Sequence, residues 1–288
     1  MSSAVILKAI ELGLVLSVLS LGVYISFRIL DIPDLTVDGS FSTGAATVAV
    51  MTMAGAPMVG LFAAFLAGCV CGIITALLQT KMHIQPLLAG IITMTGLYSI
   101  NLRIMGNLPN MPLISLDPAN ATLFDKIDQP LLALIPIVAV IGLLLYWFFK
   151  TNLGLAIRAT GNNEAMVRSS SINADTMKII GFAISNGLVA LSGALFAQYN
   201  HFADVTGGTG MMVIGLAGII VGEAILQKHT IGFGLFAAIL GACIYRFLYT
   251  LALQFGVPSG DMNLISAILV AITISIPYLR KRKGTENA

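Results

Sequence analysis

Long apolar runs separated by short polar breaks set the pattern of this chain. About nine such runs can be read, over 5–30, 39–55, 58–80, 86–101, 130–149, 177–199, 210–226, 231–255 and 262–278. Most are near the ~20 residues that a helix needs to cross the hydrocarbon of a bilayer. The runs at 39–55, 86–101 and 210–226 are short, which suits tilted, broken or re-entrant helices as well as clean spans. Helices are the expected element, because an open sheet edge would leave amides unpaired in hydrocarbon. The alternating pattern of an outer-membrane barrel, in segments of about ten residues, is missing. The fold expected is an all-α polytopic membrane protein, a bundle of about eight to ten transmembrane helices with short or broken ones among them. It reads as one transmembrane domain over 1–288, with no tandem or inverted repeat and no low-complexity linker.

Composition removes the soluble alternatives. Hydrophobic residues make up 57% of the chain, charged residues 10%, and the mean hydropathy is +0.95. About a quarter of a soluble protein's residues are charged, so this chain lacks the polar groups to cover a globular surface. The formal charge of +2 gives no reason to expect a nucleic-acid partner. Cys69, Cys71 and Cys243 all fall in apolar runs with no zinc-like spacing, and read as small buried hydrophobes. No cleavable signal peptide is evident, since the start lacks a basic n-region and the first run is too long for an h-region. No GxxxxGK[ST] phosphate loop occurs, so any ATP that drives this protein is bound by another subunit.

Lysine and arginine orient the bundle. With the tail 279–288 (Arg280, Lys281, Arg282 and Lys283) inside, alternation places Lys228, the 150–178 loop and Lys81 on the same side. Lys8, Arg103 and Lys126 then fall outside, with the N-terminus. Trp147 and Tyr146 beside Lys150 suit an aromatic belt at the cytoplasmic interface. The outer segment 102–129, rich in Pro, Asn and Asp, is the natural place to meet something outside the cell.

Three polar interruptions carry the candidate chemistry. The first is the basic loop, where Gly154 and Gly161 are expected to break the chain. Asn162 would cap a short helix with Glu164 in its first turn and Arg158 and Arg168 flanking. The second holds Asp31, Pro33, Asp34, Asp38, Gly39 and Ser40. It is either an ordinary interfacial loop or a broken helix beside a cavity, with Asp38 capping the helix that starts near Ser40 or facing a ligand amine. The third is a pair of ionisable residues at membrane depth, Glu223 and Arg246, which pair with each other or act in transport. Glycines at 187, 193, 215, 218, 232, 234 and 241 mark faces for close helix packing. His83, His201 and His229 are scattered at segment ends.

The run Ala156-Ile-Arg158-Ala-Thr-Gly161-Asn162-Asn163-Glu164-Ala165, followed by Ser171-Ile172-Asn173, resembles the cytoplasmic coupling segment of ATP-binding-cassette importer permeases. The branch is the one serving branched-chain amino acids, simple sugars and related solutes. Its typical run reads R-A-x-G-x-N-x-x-A-A and ends in G-I-N; here Met166 and Val167 replace an expected alanine and Ser171 replaces the glycine. Gly181 to Gln198, and the stretches around Leu21, Asp38 and Gly44, are similar as well, so the resemblance covers nearly the whole chain.

The resemblance implies the transmembrane subunit of an ATP-driven importer in a bacterial cytoplasmic membrane. Two copies, or one copy and a paralogue, would surround a pathway in the lipid bilayer. ATP-binding-cassette ATPase subunits would dock on the coupling segment 151–177 through Arg158, Gly161, Asn162, Asn163, Glu164, Ala165 and Arg168. An extracytoplasmic solute-binding protein would deliver an amino acid or another small polar solute. No bond is made or broken by this chain, no cofactor is its own, and the pathway residues expected are Asp34, Asp38, Ser40, Asn101 and Glu223. The rival classes are an ion-gradient-driven secondary transporter, which usually shows paired interrupted helices in two related halves, and a membrane enzyme or scaffold, for which clustered catalytic residues are missing.

Overall fold

A computed structural model describes residues 3–113, 122–125, 129–226 and 230–254, with Leu264, Ala267, Ile268 and Ala271. Apart from those four residues the expected run at 262–278 lies outside the described residues, as do the basic tail, Lys228, His229 and Lys126. The helices are α1 (Ser3–Tyr24), α2 (Thr36–Met53), α3 (Pro57–Thr80), α4 (Pro86–Ile104), α5 (Pro130–Phe148), α6 (Asn152–Asn162), α7 (Glu164–Ser169), α8 (Ala174–Asn200), α9 (Met211–Ile225) and α10 (Ile231–Gln254). Proline opens α3, α4 and α5, where a missing amide hydrogen costs nothing. Among the described residues six helices are long and apolar enough to cross a membrane, counting α1 with its continuation, and α9 is a shorter apolar helix. The chain is thus an all-α, multi-pass membrane protein.

The bundle is organised around α2, which is buried from Thr36 to Ala49 save for the half-buried Asp38 and Thr47. A helix wrapped in other helices has no lipid face, and this one packs on α8, α3 and α4. Helix α8 holds α1, α2 and α3 together. The contacts are backbone to backbone: a Cβ on Gly44 would stand 1.8 Å from the Ala190 carbonyl oxygen, and one on Gly193 would stand 2.1 Å from that of Phe41. Lipid tails are as apolar as leucine, so close approach and dispersion replace the hydrophobic effect as the packing force here. On the outside, α3 turns Phe62, Leu66, Val70 and Ile74 outward, and α5 is exposed over most of its length.

Helix α1 does not stop cleanly. Its last residues form a π-helical turn, Ile25–Ile29, in which the Leu30 amide donates to the Ile25 carbonyl at 2.9 Å. Asp31 follows in the left-handed region at φ 54°, and the chain turns back to start α2 at Thr36. At the opposite end, strands β1 (Asn110–Pro112) and β2 (Phe202–Asp204) pair antiparallel with Asn110 opposite Asp204. The Leu113 amide donates to the His201 carbonyl at 2.8 Å, which ties the described part of the outer segment to the end of α8.

Because Gly44 touches backbone, Gly44→Ala should lower thermal stability in detergent by about 1–3 kcal/mol through overpacking. Gly96, which has nothing within 4 Å of an added Cβ, is the control: Gly96→Ala should leave the melting curve where it is.

Candidate functional site

The basic loop folds as two short helices with a capping residue before each. Thr151 accepts from the Gly154 amide at 3.3 Å to start α6. Asn163 accepts from the Met166 amide at 3.0 Å to start α7, one residue later than the cap expected at Asn162, which is the last residue of α6. Asn173 caps α8 through the Thr176 amide at 3.2 Å. Gly154 and Gly161 do not break the chain; both lie inside α6, where absence of a side chain permits contact. A Cβ on Gly154 would stand 2.2 Å from the Phe148 carbonyl oxygen, and one on Gly161 would stand 1.9 Å from that of Ile29. The end of α6 is therefore pressed on the π-helical turn of α1, while Leu30 reaches across to Gly181 of α8.

Charge closes the loop on itself. Glu164 accepts from Arg168 at 2.8 Å and from Lys178 at 2.7 Å, and Arg168 also reaches Asp175 at 2.6 Å. Lys178, and after it Arg168, hold the Glu164 carboxyl below the usual glutamate range. Ser171 sits at φ 61°, a left-handed conformation that costs a side-chain-bearing residue about 1–2 kcal/mol and is the reason glycine suits this position. Asn162, Asn163 and Ala165 are exposed, and so are the apolar Met166 and Ile172. Arg158 is set apart from this network and lies with Lys150 beside α10.

The acids of the second interruption have partners inside the protein. Asp34 is buried; one oxygen accepts from the Thr36 amide at 2.9 Å and the other from the Asn186 side-chain amide at 2.7 Å. The Asn186 oxygen in turn accepts from the Ser40 hydroxyl at 2.7 Å. Thr36, Thr75 and Thr93 continue the polar string at 2.8 and 3.0 Å. Asp38 caps a helix, but not its own: its two oxygens accept from the Gly210 and Met212 amides, each at 2.8 Å. Those amides form the N-terminus of α9, whose partial positive charge favours a carboxylate. With the loop before it, whose Gly208 amide donates to Ser42 at 3.0 Å, α9 begins inside the bundle and runs toward the basic end. Asn101 is buried against α2; its side-chain nitrogen reaches the Gly39 carbonyl at 3.4 Å and its oxygen has no partner.

Glu223 and Arg246 do not pair. Glu223 is bound by Arg28, whose Nε donates at 2.8 Å and whose Nη2 joins the second oxygen, so the pair bridges the π-helical turn and the end of α9. Arg246 stands over the Tyr249 ring, 4.7 Å from its centroid. Helix α10 runs away from the basic end, which carries Arg246 beyond reach of Glu223. Two groups escaped the sequence reading. Asn186 stands in a run of small residues, and Arg28 carries no local sign of a partner 195 residues away. The Gly68 and Gly72 pair, which meets the Asn186 and Phe182 carbonyls, was legible as a small-xxx-small repeat.

Known proteins add a second line of observation. The family model described as "Branched-chain amino acid transport system / permease component" matches residues 5–274. The chain is 42% identical over 284 residues to the tyrosine transport system permease protein of Clostridioides difficile (strain R20291), covering 98% of this chain and 95% of that one. It is 27% identical to the ribose import permease protein of Escherichia coli (strain K12), over 84% of this chain and 76% of that protein. It is 26% identical to the galactofuranose transporter permease protein of the same organism, over 86% of this chain and 72% of that protein. No solved structure gives a significant match.

Two measurements follow from this geometry. Asp38→Ala should cost about 1–2 kcal/mol, the size of a lost helix cap, read as a lower melting temperature of the purified protein. The Glu164 pairs should loosen in acid. Since the folded carboxyl titrates below its unfolded value, their contribution is complete above the ordinary glutamate range and is lost as pH falls through the lowered value. A spin label at Ser169 should be immobile at pH 7 and gain mobility only at acid pH, and Glu164→Gln should make it mobile at both.

Proposed function

The chain belongs to the family of branched-chain amino acid transport system permease components, the membrane subunits of ATP-binding-cassette importers, and we propose that it carries an amino acid inward by alternating access driven by separate ATPase subunits. An aromatic amino acid is the leading solute, supported by the name of the tyrosine permease relative, with sugars behind it on the names of the ribose and galactofuranose permeases. The partners proposed are two ATPases at the cytoplasmic face, a solute-binding protein outside, and a second copy or paralogue across the pathway.

The observation that carries this reading is the contact of Gly161 with Ile29. The short helix α7 exposes Met166, and the turn after it exposes Ile172, which together offer an apolar knob for a groove on a soluble partner. The internal charge network leaves that knob rigid, with Asn162, Asn163, Glu164, Ala165 and Arg168 forming its rim. A displacement of α7 reaches α6 directly, and Gly161 passes it to the π-helical turn where α1 gives way to α2. Motion then enters the buried centre of the bundle, where Asp34, Asn186 and Ser40 hold the foot of α2 and Asp38 holds α9. Packed helices move as rigid bodies, so such a thrust rocks them instead of dissipating.

The same geometry divides the pathway residues. Asp34, Asp38 and Ser40 act by holding helices in place. The Arg28–Glu223 pair latches α1 to α9 at the cytoplasmic end. The solute meets the face of α4, where Thr95 and Ser99 form an exposed stripe, while Asn101, buried against α2 on the opposite side of α4, acts by holding the two helices together.

The test is uptake into vesicles holding the permease, its ATPase and its binding protein, across tyrosine, phenylalanine, leucine and ribose. ATP-dependent entry of an aromatic amino acid is expected. Gly161→Ala should reduce it by about ten-fold or more at unchanged membrane level, a coupling loss of ordinary size. Met166→Asp should release the ATPase on purification. Uptake that persists without the ATPase overturns the reading.

A further inference from the structure

Helices α5 and α10 do not close on each other at the basic end of the bundle. Between them is an open groove of about 980 Å³. Small residues create it. An added Cβ on Gly142 would meet only Ile239, at 3.5 Å, and one on Gly232 would meet only the Tyr146 ring, at 3.1 and 3.5 Å. The walls are otherwise apolar, with Phe236 more than half exposed. At its mouth stand two cations, Lys150 and Arg158. The Lys150 ammonium lies over the Tyr146 ring, 4.3 Å from the centroid, and Trp147 beside it is 69% exposed. Among the described residues neither cation has a carboxylate within ion-pair distance; the ion pairs of Glu164 and Asp175 are made with Arg168 and Lys178.

Such a place has two chemistries stacked in the order of a membrane leaflet. Hydrocarbon walls lie at the depth of the helices, an aromatic belt marks the interface, and two unpaired positive charges stand just beyond it. We propose that this groove binds one anionic phospholipid of the cytoplasmic leaflet, an acyl chain between α5 and α10 and the headgroup phosphate on Lys150 and Arg158. Charge complementarity selects the occupant. A zwitterionic lipid would bring its own cation to two cations that have no carboxylate partner among the described residues, whereas phosphatidylglycerol supplies a net negative group to both. Arg158 offers planar donors matched to a phosphate, and Lys150 a point charge steered by the Tyr146 ring. Arg158 is also on the same helix as Gly161, so the lipid sits where it braces α6 against α5 and α10. The site is independent of the transport reading, and its binding is measured with no ATPase present.

The test uses the purified full-length permease, incubated in detergent with dioleoylphosphatidylglycerol, dioleoylphosphatidylcholine or inorganic phosphate, and read by native mass spectrometry and thermal melting. One phosphatidylglycerol per chain should be retained, at about ten-fold preference over phosphatidylcholine, with a rise in melting temperature that phosphate alone does not give. Lys150→Gln with Arg158→Gln should remove the preference and leave weak binding of both lipids. Gly142→Leu should fill the groove and remove binding with both cations intact. Lys81→Gln, at an exposed cation just past the end of α3, should change nothing. A benzophenone side chain at position 236 should cross-link to lipid. Equal retention of the two lipids, stabilisation by phosphate alone, loss of preference in Lys81→Gln, or cross-linking from position 236 to residues 262–278 would each overturn the proposal.

Discussion

The side-chain amide of Asn186 bears on more of this structure than any other polar group inside the bundle. In water it would be one amide among many. At the middle of α8, surrounded by hydrocarbon and protein, its donor and acceptor must each find a partner or carry a cost of several kcal/mol. They find Asp34 and Ser40, at either side of the start of α2, both at 2.7 Å. One residue thereby fixes the foot of a helix that is buried over nearly its whole first three-quarters. The position of α2 in turn decides where Asp38 stands, and Asp38 decides where α9 begins. Polar satisfaction in a medium without water propagates from helix to helix in this way, and it leaves little freedom to slide.

Close backbone contact is the second consequence of the same medium. Gly22, Gly44, Gly68, Gly72 and Gly193 let α1, α2, α3 and α8 approach until carbonyl oxygens touch Cα atoms. Such an interior is dense, not soft. A displacement delivered at one end arrives at the other, which is the property an alternating-access protein requires.

Hydropathy alone placed eight of the helices to within a few residues, because each long apolar run has a single use in a bilayer. The break after α1 was legible from Asp31, Pro33 and Asp34, which have no business in the centre of a span. Its partners were not. That Asp38 caps α9, 172 residues away, and that Arg28 serves Glu223, 195 residues away, are facts of packing with no local signal. Of the two readings open for Glu223 and Arg246, pairing with each other failed because sequence gives depth poorly and azimuth not at all. Caps were predicted by chemistry and misplaced by one residue, since Asn162 and Asn163 are equal candidates until Gly161 commits α6 to one more turn. The loop glycines at 154 and 161 read as breakers in sequence and act as contacts in the fold. Composition cannot separate those two uses.

The joint between Gly161 and Ile29 has one further property. It is a steric abutment, glycine against a carbonyl oxygen, with no hydrogen bond across it, so it resists compression and offers almost nothing against tension. A machine linked through such a bearing has a thrust stroke and no draw stroke at that point. In the coupling proposed above, the reverse movement would be carried by the covalent chain through Asn173 into α8, or by recoil of the displaced helices. Push and return would then run along different routes through the same small protein.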